Sequence, residues 1–129
     1  MAGYSEKSLV DKLGYKPNET IYLLSAPEWF KDYLNEENIQ TSALPADWAH
    51  GFFESQDQLV QFLASINLSD IKKGLWVSWP KKTSGVKTDL AEQTLRDLIL
   101  PIGWVDVKVA AIDETWSGLK FLRRKTKQS

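Results

Sequence analysis

Cysteine is absent from the 129 residues, and histidine and methionine occur once each. Without cysteine there is no disulfide, no thiolate metal site, no thiol nucleophile and no Cys-ligated cluster. A lone His50 also removes a paired-histidine metal site and a two-histidine relay. No apolar run approaches the roughly 18 residues a membrane-spanning helix needs, so no membrane association is expected. An excess of one charge is missing too. The 16 basic residues against 17 acidic ones leave a net charge of -1, which excludes a wholly basic nucleic-acid binder. The start, MAGYSEKSLVDK, has no basic leader followed by an apolar core. No secretory signal is expected, and a cytoplasmic location is. What the chain has in abundance is tryptophan, six in all, at positions 29, 48, 76, 79, 104 and 116. Tryptophan buries a large area and serves cores and contact surfaces alike.

The length fits one domain, residues 1–129, with a single core and neither repeats nor low-complexity tracts. Ser5–Leu13 reads as a short helix capped by Ser5 and ended by Gly14. Thr20–Ser25 is a β-prone apolar run. A helix follows from Pro27, with Glu28 in its first turn and Trp29, Phe30, Tyr33 and Leu34 as its apolar stripe. Ile39–Leu44 fits a short strand or a loop. Trp48–Glu54 reads as a strand in which Gly51 marks a bulge or close packing. Ser55–Ile66 is the clearest helix, with Leu59, Phe62, Leu63 and Ile66 on one face. Leu75–Trp79 reads as the buried strand at the centre of the sheet. Asp89 and Glu92 match a capping box for a helix Leu90–Leu100, whose apolar face takes Ala91, Leu95, Leu98 and Ile102. Trp104–Ile112 and Leu119–Arg124 are strands joined by the turn Asp113–Gly118, and so must be antiparallel. Asp106 and Lys108 alternate with valines, as on an edge strand with one polar face.

Strands alternating with helices imply parallel pairing. The expected fold is therefore an α/β three-layer sandwich: a Rossmann-like mixed sheet closed by a C-terminal antiparallel hairpin. That layout resembles a shortened S-adenosylmethionine-dependent methyltransferase. The segments KLGYKP, YLLSAPEWF, LWVSWPKKTSGVKTDL and VDVKVAAIDETWSGLKFLRR are similar to an uncharacterised bacterial family known only as a domain of unknown function. That resemblance implies no activity. The methyltransferase-like layout implies a Gly-rich turn after the first strand, where backbone approaches the cofactor. The turn Ser25–Phe30 has no glycine, Pro27 lacks an N–H, and Glu28 puts negative charge at the helix start. Use of S-adenosylmethionine is therefore not expected, and no cofactor or metal is assigned.

Ligands of open α/β sheets bind outside the carboxyl ends of the parallel strands. Three loops are expected at that rim: 25–29, 80–88 and 113–118. The candidate ligand-binding residues are Lys81, Lys82, Ser84, Gly85, Thr88, Asp113, Glu114, Trp116 and Ser117. Two lysines with Ser84 and Gly85 suit a phosphate or carboxylate, although the P-loop order is absent. In the alternative, the lysines simply pair with Asp113 or Glu114. Asp113 and Glu114 could also act as acid and base. Trp79 and Trp116 could be core residues or contacts. His50, inside a strand, reads as structural. The basic tail Arg123–Lys127 reads as a solubilising end. The functional expectation is a binding or protein-interaction module holding a protein or small polar ligand. The alternative is a small enzyme or binder of an anionic ligand, and a homodimer is a further option.

Overall fold

The fold comes from a computed structural model that describes residues 8–124. The expected Ser5 cap and the tail Lys125–Ser129 lie outside the described residues. In chain order the elements are α1 (Leu9–Leu13), β1 (Thr20–Leu24), α2 (Glu28–Glu36), β2 (Gln40–Thr41) and β3 (Ala46–Phe52). They continue as α3 (Gln56–Ser65), β4 (Ile71–Pro80), α4 (Glu92–Ile99), β5 (Trp104–Ala111) and β6 (Trp116–Arg123).

The strands form one sheet in the order β2-β1-β3-β4-β6-β5. The first four are parallel, and β6 runs antiparallel to both of its neighbours. Because β6 is inserted between them, β5 points the same way as β4. This is the expected Rossmann-like mixed sheet with a C-terminal antiparallel hairpin, and its second strand has only two residues. Alternation along the central strands sorts the core into two layers. Ala49, Leu75 and Val77 face α3 and α4, in a cluster with Leu59, Phe62, Leu95 and Ile99. Trp48, Phe52 and Trp76 face the opposite way, toward Val10, Leu13, Phe30 and Leu34 of α1 and α2. The sandwich thus has three layers, with β4 near the middle of the sheet.

Local chemistry explains most element ends. Ser55 caps α3 by accepting from the Gln58 N–H at 3.2 Å. Ser8 caps α1 in the same way through Asp11. Five residues cannot hold a helix alone, so α1 depends on the sheet beneath it. The Trp76 indole donates to the Leu13 carbonyl at 3.0 Å, and Lys108 Nζ donates to the Lys12 carbonyl at 2.8 Å. Lys120 lies over the Trp48 ring, 4.8 Å from its centroid. Gly51 marks close packing rather than a bulge, because a Cβ there would meet the Phe53 ring at 2.5 Å.

The start of α4 differs from the sequence expectation. Its N-cap is Ala91, without a side-chain hydrogen bond. Asp89 instead accepts from the Gln56 N–H at 2.8 Å, so the carboxylate ties two helix starts together rather than capping its own. The helix also stops at Ile99 and tightens into a 3-10 turn, Leu100–Ile102. That change of pitch buries Ile99 and leaves Ile102 43% exposed, contrary to the expected face. Ile39–Leu44 holds only the two-residue β2.

Candidate functional site

The turn between β5 and β6 is built on Asp113. Its Oδ1 accepts from the backbone N–H groups of Thr115 and Trp116, both at 2.8 Å. This carboxylate is used locally, as an Asx turn uses it, which reduces its availability as an acid or base. Sheet register then sets Trp116 opposite Pro80, Ser117 opposite Trp79 and Gly118 opposite Ser78. The Lys81 N–H donates to the Thr115 carbonyl at 2.7 Å, so loops 80–88 and 113–118 touch.

The other loop residues are also engaged in their own turns. Ser84 Oγ donates to the Lys81 carbonyl at 2.6 Å and accepts from the Val86 N–H at 3.1 Å. Thr88 Oγ1 accepts from the Leu90 N–H at 3.0 Å. Gly85 has φ 82°, the left-handed region that favours glycine. Lys82, Gly85 and Glu114 are exposed, while Lys81, Asp113 and Ser117 are half-buried. The ion pairs of the described residues are Lys31–Glu28, Lys73–Glu19, Arg96–Glu92 and Arg96–Asp106. The expected pairing of Lys81 or Lys82 with Asp113 or Glu114 is not among them.

The first loop reaches this region through aromatic rings. Trp29 meets Phe30 edge-on at 5.5 Å, Phe30 meets Phe52 at 5.2 Å, and Phe52 meets Trp116 at 5.1 Å between centroids. This row crosses the carboxyl rim on the α1/α2 face, from the start of α2 to the start of β6. Trp116 is half-buried in it and packs against the core. Trp79 is buried on the opposite face, toward α3 and α4. Trp29 is 39% exposed.

Beneath the row lies a buried polar chain. His50 Nδ1 is 2.9 Å from the Tyr15 hydroxyl, and Nε2 is 2.8 Å from Ser78 Oγ. The imidazole stacks on Phe52 with centroids 4.6 Å apart. Burial without a carboxylate partner lowers its pKa to about 3, so the ring is neutral near pH 7. Burial, with Glu19 adding repulsion, pushes the Tyr15 hydroxyl well above its usual range. His50 is wholly buried, with both ring nitrogens hydrogen-bonded inside the core.

Glu19 is buried beside this chain. It accepts from the Trp48 indole at 2.9 Å and the Lys16 N–H at 3.0 Å, and pairs with Lys73. Burial alone would raise its carboxyl pKa; the Lys73, Trp48 and Lys16 hydrogen bonds outweigh burial and lower it. No group of three or more potential metal-ligating side chains occurs among the described residues.

The concave surfaces lie elsewhere. The chain leaves β1 toward β2 on one side, then returns to β3 on the other. The carboxyl ends of β1 and β3 therefore flank the topological switch point, where open α/β sheets bind ligands. A crevice of about 350 Å³ opens there, walled by Tyr22 and Leu24 of β1, Phe52 and Phe53 at the end of β3, and Gln61 and Phe62 of α3. Ser25, Gln58 and Ser65 add polar groups, and no charged side chain lines it. Ser25 has φ 58°, a conformation short polar residues tolerate poorly but more readily than bulky ones. A larger groove, about 790 Å³, runs along the outer edge of β1 beside α2 and β2. A shallow cleft lies between Glu54, Ser55, Lys87, Thr88 and Asp89. Of the candidate residues read from the sequence, only Thr88 lines any of these three. The rim loops read from the sequence leave out this crevice, because they omit the end of the strand Trp48–Glu54. The dipeptide Phe52-Phe53, at the end of a parallel strand and before a capped helix, was the available signal.

A mixed six-stranded α/β sheet with an uncharged crevice at its switch point is what the geometry defines. Residues 51–129 match the family described as Domain of unknown function (DUF8412), and the chain belongs to it. No curated protein matches the chain. Among solved structures it is similar to a dimethyladenosine transferase from Plasmodium falciparum, with 9% sequence identity and a TM-score of 0.45. That likeness covers 91% of this chain and 59% of the transferase, so the chain spans about three fifths of its length. No helix among the described residues is long and apolar enough to cross a membrane.

Proposed function

We propose that the chain is a binding module, not an enzyme, and that its crevice between β1 and β3 holds a small, flat, uncharged ring compound. The observation that carries this reading is the crevice lining: the rings of Tyr22, Phe53 and Phe62 and the side chain of Leu24, with Gln58, Gln61 and Ser25, and no charge. Aromatic walls stack on planar ligands, and a few amides and hydroxyls at the margin select an orientation. The reading without S-adenosylmethionine is supported on the other face of the rim. There the glycine-free turn leads into the packed row Trp29, Phe30, Phe52 and Trp116, Pro27 offers no backbone N–H, and Glu28 sets a negative charge at the helix start.

A thermal-shift screen of the whole chain against a metabolite panel tests it. Uncharged ring compounds are expected to raise the melting temperature. Gln61→Trp, which fills the crevice from an exposed helix position, is expected to abolish the shift. Stabilisation by S-adenosylmethionine, or a ligand shift untouched by Gln61→Trp, overturns the reading.

A second reading has one observation in its favour. Lys81 and Lys82 have no ion-pair partner among the described residues, and Gly85 leaves open space beside its backbone. An inorganic phosphate or a carboxylate could sit against them. A phosphate titration followed by backbone NMR shifts at residues 81–85 tests it, and shifts that persist in a Lys81→Met, Lys82→Met variant sink it.

A further inference from the structure

The outer edge of β1 is only half covered. Its partner β2 pairs with Thr20 and Ile21 and then ends. Successive residues of a strand direct their N–H and C=O to opposite sides. The Thr20 N–H points toward β3, where Asp47 Oδ2 accepts it at 3.0 Å. The Ile21 carbonyl points the other way and accepts from the Ser42 N–H at 3.0 Å. Tyr22 therefore faces β3 again, and both backbone groups of Leu23 face outward, past the end of β2. Neither has a hydrogen-bond partner among the described residues. An unpaired donor and acceptor on one residue of a strand edge form the template onto which another strand adds.

That template opens into the groove of about 790 Å³. Its walls suit a backbone ligand. Asn35, Asn38 and Gln40 offer amide donors and acceptors, and Thr41 and Ser42 offer hydroxyls. Lys31 is the one charged residue in the lining. Its carboxylate neighbour, Glu28, is 3.8 Å away, with the two side chains 52% and 80% exposed. Such a pair is weak and leaves the ammonium able to turn to another anion.

Connectivity sets where Lys31 lies along this edge. Because α2 joins the carboxyl end of β1 to the start of parallel β2, it runs antiparallel to both. Lys31 thus lies nearer the carboxyl end of β1 than Asn35 does. A chain added parallel to β1 would bring its own carboxyl end toward Lys31. The open stretch of β1, Tyr22 to Leu24, has room for roughly three residues at about 3.3 Å each.

We propose that this groove binds the C-terminal tail of a partner protein as a short added strand. Its backbone pairs with Leu23, and its terminal carboxylate sits at Lys31. The groove shares only Tyr22 with the crevice assigned above, and the proposal stands or falls independently of that reading.

The test uses two degenerate libraries of acetylated tetrapeptides, one ending in a free carboxylate and the other in a carboxamide. Each is titrated into the isotope-labelled full chain, and backbone NMR shifts and amide exchange are followed. With the free-acid library, the Leu23 amide is expected to shift and to exchange at least about tenfold more slowly. The carboxamide library is expected to bind about tenfold more weakly. Lys31→Met, a change at an exposed position, should reduce free-acid binding to that lower level, whereas Glu28→Gln should leave it intact or strengthen it. Equal binding of the two libraries, or an unchanged Leu23 with both, overturns the proposal. Protection of Leu23 that grows with protein concentration and needs no peptide also overturns it, in favour of a second copy of the chain. Ring-compound stabilisation through the crevice is read separately by the Gln61→Trp comparison.

Discussion

The two edges of the sheet differ in how they are finished. On one side β4, β6 and β5 are eight to ten residues long, and β6 is paired along almost all of its length on both sides. On the other, β1 has five residues and β2 two, and half of the outer edge of β1 has no neighbour. The long side is closed by a local hairpin, whose register the turn itself pins. The short side depends on crossovers through α2, and its concave surfaces lie where pairing stops. The groove is lined entirely from the short side, and the crevice lies where the short side meets α3. The family match, by contrast, begins at Gly51, near the end of β3, and takes in the whole long side. The two surfaces proposed for binding thus border the less completely paired side of the sheet.

The largest test of that contrast is Trp76→Ala. Trp76 is wholly buried in β4 and holds the end of α1 through its indole N–H. Its removal is expected to cost about 4 kcal/mol, read from the urea midpoint, and a cost below about 1 kcal/mol would remove β4 as the anchor. Amide exchange compares the two sides directly. Leu23, at the open edge, is expected to exchange about a hundredfold faster than Val77 in the middle of β4. Equal protection would mean that the short side is as closed as the long one.

Acid acts on the layer that joins the two. The folded-state pKa of His50 is about 3 against a usual 6.5, so below pH 6.5 the unfolded chain binds the proton more readily. The stability from keeping the ring neutral is complete above that value and is lost as pH falls toward about 3. Between pH 7 and pH 5 the loss is about 2 kcal/mol. His50→Gln should lower stability at pH 7 while removing this part of the slope. If urea midpoints of the variant fall with pH as steeply as before, His50 is not the source. The smallest effect is expected at the α3 cap, where Ser55→Ala should cost about 1 kcal/mol in urea unfolding without changing the Leu23-to-Val77 exchange ratio.

Much of this fold can be read where one physical signal dominates. Helix α3 follows from the spacing of Leu59, Phe62 and Leu63 behind a serine cap, and the β5–β6 hairpin follows from its short turn. Where two local signals compete, the sequence misleads. Asp89 has the spacing of a cap, yet Gln56, distant in sequence, takes its carboxylate. Ile102 continues the helical period of α4, but Pro101 and Gly103 end that period before it. Of the candidate site, the placing of loops 80–88 and 113–118 on one rim is legible, since it needs only that β5 run parallel to β4, whereas their contact comes from β6 pairing antiparallel with β4. The crevice is not legible, because a switch point is a property of strand order, and strand order comes from pairings between distant residues. The open Leu23 edge was hidden for a similar reason: its existence depends on where β2 stops.

One side chain belongs to both concave surfaces. Tyr22 lines the crevice and also the groove along the edge of β1. If an occupant on one side favours a ring rotamer that suits or obstructs the other, the two sites are thermodynamically linked. The factor by which either ligand changes the other's affinity must then be the same in both directions. Tyr22 stands where β2 has already ended, so a shortened strand leaves one residue of β1 bordering both surfaces.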